Sequence, residues 1–182
     1  MVKKKITIGL SEQDIDRAIR ELTQYKVEFA KKVELLREKV AERLADEAQH
    51  GFNGAIVDDT YRTITNGVKS SEQSRVAQVD VSVDDRGAVT VVVASGEDAV
   101  WVEFGAGVYH NGSPGTSPHP SGAELGFTIG SFGENGKKKA WGFKDENGVI
   151  HVTHGTPATM PMARAVTTVC NEIAEIAREV WN

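Results

Sequence analysis

The residues of this chain whose types and spacing could do chemistry are its histidines, its adjacent carboxylates, a lone cysteine and one glycine-rich stretch. Neutral imidazole is the commonest transition-metal ligand, so five histidines invite a metal site. Their spacing discourages it. His151 and His154 lie three apart in a segment patterned as a strand, which sends the two side chains to opposite faces. His110 and His119 sit in a loop with no cysteine partner and no carboxylate at a recognisable ligand spacing. No metal and no other cofactor is expected.

Paired carboxylates can divide the work of general acid and general base. Asp58 with Asp59, and Asp84 with Asp85, are immediate neighbours, and adjacent residues in extended chain point apart. Asp84 and Asp85 also stand where a hairpin turn favours Asp. Glu103 is different. Flanked by apolar Val102 and Phe104, it needs a partner if buried, and a structural ion pair or an exposed helix face accounts for it more simply than catalysis. Gly105 and Gly107 begin a GxGxxG pattern that His110 interrupts, and no helix is expected after it. No Walker sequence and no GxSxG occurs. Cys170 falls inside a helical pattern, where a small buried hydrophobe is expected. A single cysteine also rules out an intrachain disulfide and a thiolate cluster.

The elements that must position these groups follow from periodicity. Ile6, Ile8 and Leu10 alternate with Thr7 and Gly9, which predicts a short strand, and Ser11 three residues before Asp14 is a capping arrangement. From there Ile15, Ile19, Leu22, Phe29, Val33, Leu36, Val40 and Leu44 recur at threes and fours up to about His50 and Gly51. Such a helix is far longer than the ~30 Å of a small domain, so it must break or project. The segment GFNGAIVDDTYRTITNG mixes short apolar runs with turn residues and has no clear assignment. Val76 to Ala94 predicts a hairpin turning at DDRG, and AWGFK, DENG, VIHVT predicts a second, with Asn147 and Gly148 supplying the positive φ that a tight turn needs. Between them EDAVWVEFG reads as a short helix stopped by Gly105. Residues 110 to 140, with seven glycines and three prolines, form a long loop. Met162, Val166, Val169, Ile173, Ile176 and Val180 mark a C-terminal amphipathic helix with Pro161 in its first turn. No internal repeat is present.

The fold class expected is α+β: one domain over residues 1–182, with a mostly antiparallel β-sheet, a long N-terminal helix within 1–52, and 75–182 supplying the sheet, the 110–140 loop and the C-terminal helix. A net charge of −5 argues against broad wrapping of nucleic acid. The run Lys137, Lys138, Lys139 is read as a solvated loop tip, with an anionic partner such as DNA as the sharper alternative. MVKKKITIGL is too short for a signal segment and nothing approaches a membrane span, so synthesis in a cytoplasm and no membrane partner are expected.

With enzyme signatures missing, the order of motifs carries the most information: WVEFGAG at 101–107, SPHP at 117–120, ELGF at 124–127, Trp141, and HGTPATMPM at 154–162. This ordered set resembles the phage family typified by gene product ten of bacteriophage Hong Kong 97, whose members are minor tail components acting in tail completion or head–tail joining. The resemblance covers residues 75 to 182, and the N-terminal helix matches in type and position. Ala106, and Thr159 with Met160, depart from residues common in the family.

The resemblance implies a non-enzymatic virion protein at the head–tail junction or upper tail, made in the host bacterial cytoplasm. It implies a homo-oligomeric, hexameric ring whose partners are head-closure, tail-terminator or tail-tube proteins, with DNA passing through an acidic lumen. Trp101, Glu103, Phe104, Gly105, Trp141, Pro157 and Pro161 are expected to organise the fold. Tyr109, His110, Pro114, Pro118, His119, Pro120 and the three lysines 137–139 are expected to form the contact loop, together with the exposed helix face. The alternative from another class is a small hydrolase or nuclease using Glu103 with His110 or His119; a bacterial toxin or regulator of similar size is a third.

Overall fold

The computed structural model describes residues 9, 11–57, 64–65, 68–69, 75–105, 118–122, 124–125, 141–144, 146–148, 150–153 and 156–182. Helix α1 (Glu12–Asn53) starts where its cap was expected: the Ser11 hydroxyl accepts from the Asp14 backbone N–H at 3.1 Å and donates to the Asp14 carboxylate at 2.7 Å. It runs unbroken for 42 residues, about 63 Å at ~1.5 Å per residue. Its four buried positions in the second half, Ala41, Ala45, Ala48 and Phe52, repeat at four, three and four.

Four short strands and a hairpin follow: β1 (Ile56–Val57), β2 (Ile64–Thr65), β3 (Val68–Lys69), β4 (Arg75–Val76), then β5 (Asp80–Asp85) and β6 (Thr90–Ser95). Next come α2 (Ala99–Phe104), β7 (Trp141–Lys144), β8 (Ile150–Thr153) and α3 (Pro161–Trp181). The architecture is α+β, and every described ladder is antiparallel. The strands nevertheless fall into three sheets rather than one, β1–β4, β3–β2–β8–β7 and β5–β6. The unassigned stretch after α1 is the cause: its strands β2 and β3 extend the second hairpin, and β1 takes β4, so β5–β6 stands as a separate ribbon.

Both predicted turns form. Gly87 (φ 78°) turns β5 into β6, with the Gly87 N–H donating to the Asp85 carboxylate at 3.0 Å, and Gly148 (φ 78°) lies between β7 and β8. The β5–β6 ribbon is held to α1 by side chains. The Gln49 amide donates to the Val79 carbonyl at 2.9 Å and accepts from the Val81 N–H at 2.7 Å, so a helix side chain occupies a strand edge that would otherwise be unpaired. Arg37 reaches the Gly87 carbonyl and Asp85 at the far end.

Helix α3 lies antiparallel to α1. Pro161 sits against Gly51, Glu172 pairs with Arg43 at 2.8 Å, Glu179 pairs with Lys39 at 2.9 Å, and Trp181 meets the Phe29 ring at 6.2 Å. α3 buries Pro161, Ala165, Val169 and Val180, whereas Val166 and Ile173 of the expected stripe are exposed, and so is Cys170. Val169 and Val180 of that stripe are buried and Met162 and Ile176 half-buried, so the buried face, running through Pro161, Ala165 and Val169, overlaps the expected one but is rotated from it, and Cys170 points outward. The core proper is compact: Phe52, Ala55, Val57, Val79, Ala99 and Val102, with Ala77, Val81, Ala94 and Met162 against it. It gathers the end of α1, the start of the ribbon, α2 and the start of α3 at one place. The expected strand at residues 6–10 lies, apart from Gly9, outside the described residues.

Candidate functional site

Helix α2 ends against that core, and its Glu103 is the junction of three segments. The residue is 6 % exposed. One carboxylate oxygen accepts from the Met162 N–H at 2.8 Å; the other accepts from the Ala163 N–H at 2.9 Å and faces Nε2 of His119 at 3.0 Å. Met162 and Ala163 are the second and third residues of α3, whose first N–H groups have no partner within the helix. The residue in the capping position, Met160, sits in the left-handed region (φ 56°) and its side chain makes no cap. Pro161 brings no N–H. Glu103 therefore caps α3 from another element, a negative charge placed where the helix dipole favours one.

His119 is oriented from both sides. Its Nδ1 accepts the Ser121 N–H at 3.0 Å, which places the ring proton on Nε2, and that N–H donates to Glu103. The Phe104 ring lies 4.3 Å from the imidazole, tilted by 50°. His119 thus points inward, 11 % exposed at the side chain, and is not the outward contact residue expected of it. Its flanking prolines, Pro118 and Pro120, are exposed, so an inward histidine anchors two outward prolines.

A strap before α3 completes the junction. The Val102 carbonyl accepts the Thr159 N–H at 2.9 Å, closing the end of α2. Gly105 (φ 79°) lets the chain leave α2 beside the strap, since a Cβ there would stand 3.0 Å from the Ala158 nitrogen. Thr156 is buried and Pro161 packs on Gly51. Pro157, expected to organise the fold, is exposed; its neighbours Thr156 and Pro161 carry the packing instead. Trp101 is half-buried on α2, and Trp141 opens β7 opposite Thr153. Tyr109, His110, Pro114 and lysines 137–139 lie outside the described residues, as do Asp58, Asp59 and His154.

A second buried charge escaped the sequence reading. Asp98, the residue before α2, makes no side-chain cap. Its carboxylate instead takes Arg75 bidentately at 2.5 and 2.8 Å and accepts the Gln78 N–H at 2.9 Å. The Arg75 hydrogen bonds hold Asp98 below the usual carboxylate range against the opposing effect of burial, and the Gln78 N–H adds to the same direction. Asp84 and Asp85 serve the turn, as expected: Asp84 pairs with Arg86 and Asp85 accepts from Gly87.

An apolar groove of about 660 Å³ opens beside the junction, walled by Val92, Ala94, Val100, Phe104 and Val166, with Glu103 and His119 at its edge. Chemically the pair has little left to give. Both imidazole nitrogens and both carboxylate oxygens are engaged within the fold. Among the described residues no three His, Cys, Asp or Glu side chains group to hold a metal ion, and no helix is long and apolar enough to cross a membrane.

No family model matches the chain. Neither the curated proteins nor the solved structures give a match to it.

Proposed function

We propose that this chain is a structural virion protein of a tailed phage or prophage, a ring-forming connector subunit acting in tail completion or head–tail joining at the neck. One observation carries the reading. Parts of the separated motifs on which the family resemblance rests, Trp101–Gly105, Pro118–Pro120 and Thr156–Met162, meet at Glu103 in one buried junction. Motifs that converge to hold a chain together are what a non-enzymatic fold signature consists of. The same geometry bears on the alternative. A hydrolase or nuclease using Glu103 with His119 needs a ring nitrogen able to exchange a proton with substrate, and here Nδ1 accepts from Ser121 while Nε2 donates to the carboxylate.

Its partners in this reading are copies of itself in a hexameric ring, the head-closure, tail-terminator or tail-tube proteins beside it, and the DNA that passes. A ring is built from heterologous contacts, which need two different surfaces on each subunit. The outward prolines 118 and 120 and the uncovered part of α1 are candidates for them. Imaging of purified particles, with mass measurement of the protein alone and with its neck partners, tests the reading. Density for the chain in a ring at the neck supports it. A protein that stays monomeric with those partners and never enters a particle overturns it, and activity on DNA or esters lost in a folded Glu103→Ala variant would establish the hydrolase instead.

A further inference from the structure

The β5–β6 ribbon has two outer edges, and the fold treats them differently. Gln49 fills the edge of β5 at Val79 and Val81. Because the Val81 N–H points to Gln49 and away from β6, the pairs Val81↔Ala94 and Val83↔Val92 share no hydrogen bond, and the N–H and C=O groups of Val92 and Ala94 point to the outer edge of β6. Among the described residues no strand or side chain meets them there. A two-stranded ribbon is marginal by itself, and an open edge is a template for a further strand. This edge borders the apolar groove, two of whose walls, Val100 and Val166, are 45 and 47 % exposed. Beyond its end, Asp80 and Glu97 are exposed carboxylates with no ion pair among the described residues, whereas Asp84 and Asp85 at the turn are paired with Arg86 and Arg37. The open edge is thus apolar along its length and acidic at one end.

We propose that residues 3–10 of a second copy add to this edge as an antiparallel strand. Pattern, charge and reach select that occupant. Ile6, Ile8 and Leu10 alternate with Lys5, Thr7 and Gly9, the pattern of a strand with one apolar face. Setting Ile8 opposite Val92 and Ile6 opposite Ala94 puts Leu10 at Thr90 and turns that face to the groove, since directly opposite residues share a face of the sheet. The same register brings Lys5 level with Ser95, whose β5 neighbour is Asp80, and Lys3 toward Glu97. A parallel strand would carry the lysines to the turn, where both carboxylates are already taken. Reach makes the donor another copy. Gly9 lies against Asp14 at the tip of α1, and Ile6 stands three residues before it, ~10 Å at full extension. Gln49, level with the open edge, is ~57 Å along the helix from Ser11. Donor and acceptor are different surfaces, so the contact is heterologous, and it does not rest on the ring reading.

Sedimentation and amide hydrogen exchange of the full chain, from low to high micromolar concentration, test the strand addition together. The mass is expected to rise above 19.7 kDa. As it does, exchange at the Val92 and Ala94 amides slows by about tenfold or more, while Val91 and Val93, bonded to β5, are protected throughout. Ile8→Asp spoils the donor, and Val92→Pro removes an outward N–H without touching the ladder to β5. Each alone raises the dissociation constant by about tenfold or more, and Ile8→Asp leaves the circular dichroism melt at low concentration unchanged. Mixed, the two variants restore one contact, because the Val92→Pro chain still donates and the Ile8→Asp chain still accepts, and association stops at two copies. A monomer at every concentration, a mixture that stays monomeric, or association indifferent to Ile8→Asp overturns the proposal. So does protection of Val92 and Ala94 at every concentration, which would give the edge to a segment of the same chain. Association of this kind in a protein that never enters a particle sustains the strand addition and removes the ring reading; a particle component monomeric in solution does the reverse.

Discussion

Glu103 caps a helix 58 residues further along the chain: its carboxylate accepts the N–H groups of Met162 and Ala163, the service that Met160, in the capping position, does not perform. Two buried donors depend on one side chain. Glu103→Ala leaves both unsatisfied and is expected to cost about 3–5 kcal/mol, the range for removing one partner of a buried charged network. Glu103→Gln keeps one acceptor oxygen and is expected to cost about half of that. Urea denaturation measures both, and a Glu103→Ala protein as stable as the parent removes the capping role.

The ring contact between Phe104 and His119 is expected to couple the two residues. In a double-mutant cycle of Phe104→Leu and His119→Gln, the interaction energy should be about 0.5–1.5 kcal/mol. Thermal or urea unfolding of the four proteins gives the value. Additive effects would mean that the 4.3 Å approach of the rings contributes nothing of its own.

Acid should act on the Arg75–Asp98 pair. Asp98 is held below its ordinary value when folded, so the stability it contributes is complete above the ordinary carboxylate range and drains as pH falls through that range toward the lower folded value. Asp98→Asn is expected to be less stable than the parent at neutral pH and to show a shallower loss on acidification. Unfolding free energies from pH 7 downward check both signs. An Asn variant with an unaltered acid slope would place the titration elsewhere.

Gly105 is expected to tolerate no side chain. Its φ of 79° and the 3.0 Å approach of Ala158 together predict a cost of about 1–3 kcal/mol for Gly105→Ala. Gly87→Ala shares the positive φ but has open space around it, and should cost about 1 kcal/mol. The difference between the two melts isolates the steric part.

Pro118 and Pro120 separate stability from assembly. Both are exposed, so alanine at the two positions should move stability by about 0.5 kcal/mol or less each. Incorporation into particles should fall all the same if these residues touch a neighbouring subunit. Unchanged incorporation would move the contact to other residues.

Local chemistry was legible in the sequence and distant pairing was not. Ser11 with Asp14, Gly87, Gly148, Gly105 and Pro161 each act through their own backbone or a residue a few positions away, and each stands in the role its type suggested, whereas Asn147 sits in its turn without the positive φ expected of it. Glu103 announced a need for a partner by its apolar neighbours, but nothing in spacing points across sixteen residues to His119. Asp98 drew no notice, because its partner Arg75 lies 23 residues away on β4 and spacing does not point to it. Gln49 gave no signal, since an amide on a helix carries no mark of the strand edge it will fill. The buried face of α3 was legible in part: Val169 and Val180 are buried as expected, but periodicity weighs Val and Ile above Ala, whereas the helix buries Ala165 and turns Val166 and Ile173 outward.

The unbroken run of α1 makes it a lever. Its tip at Ile15 and its base at Phe52 belong to one rigid rod, with Arg43 and Glu172 near the fulcrum and the core at the short arm. Whatever grips the tip gains leverage over the base: a tilt of a few degrees, multiplied along ~55 Å of helix, is several ångströms at one end and a small torque on Phe52 at the other. A force met outside the body is therefore felt first at the place where Glu103 ties the chain together.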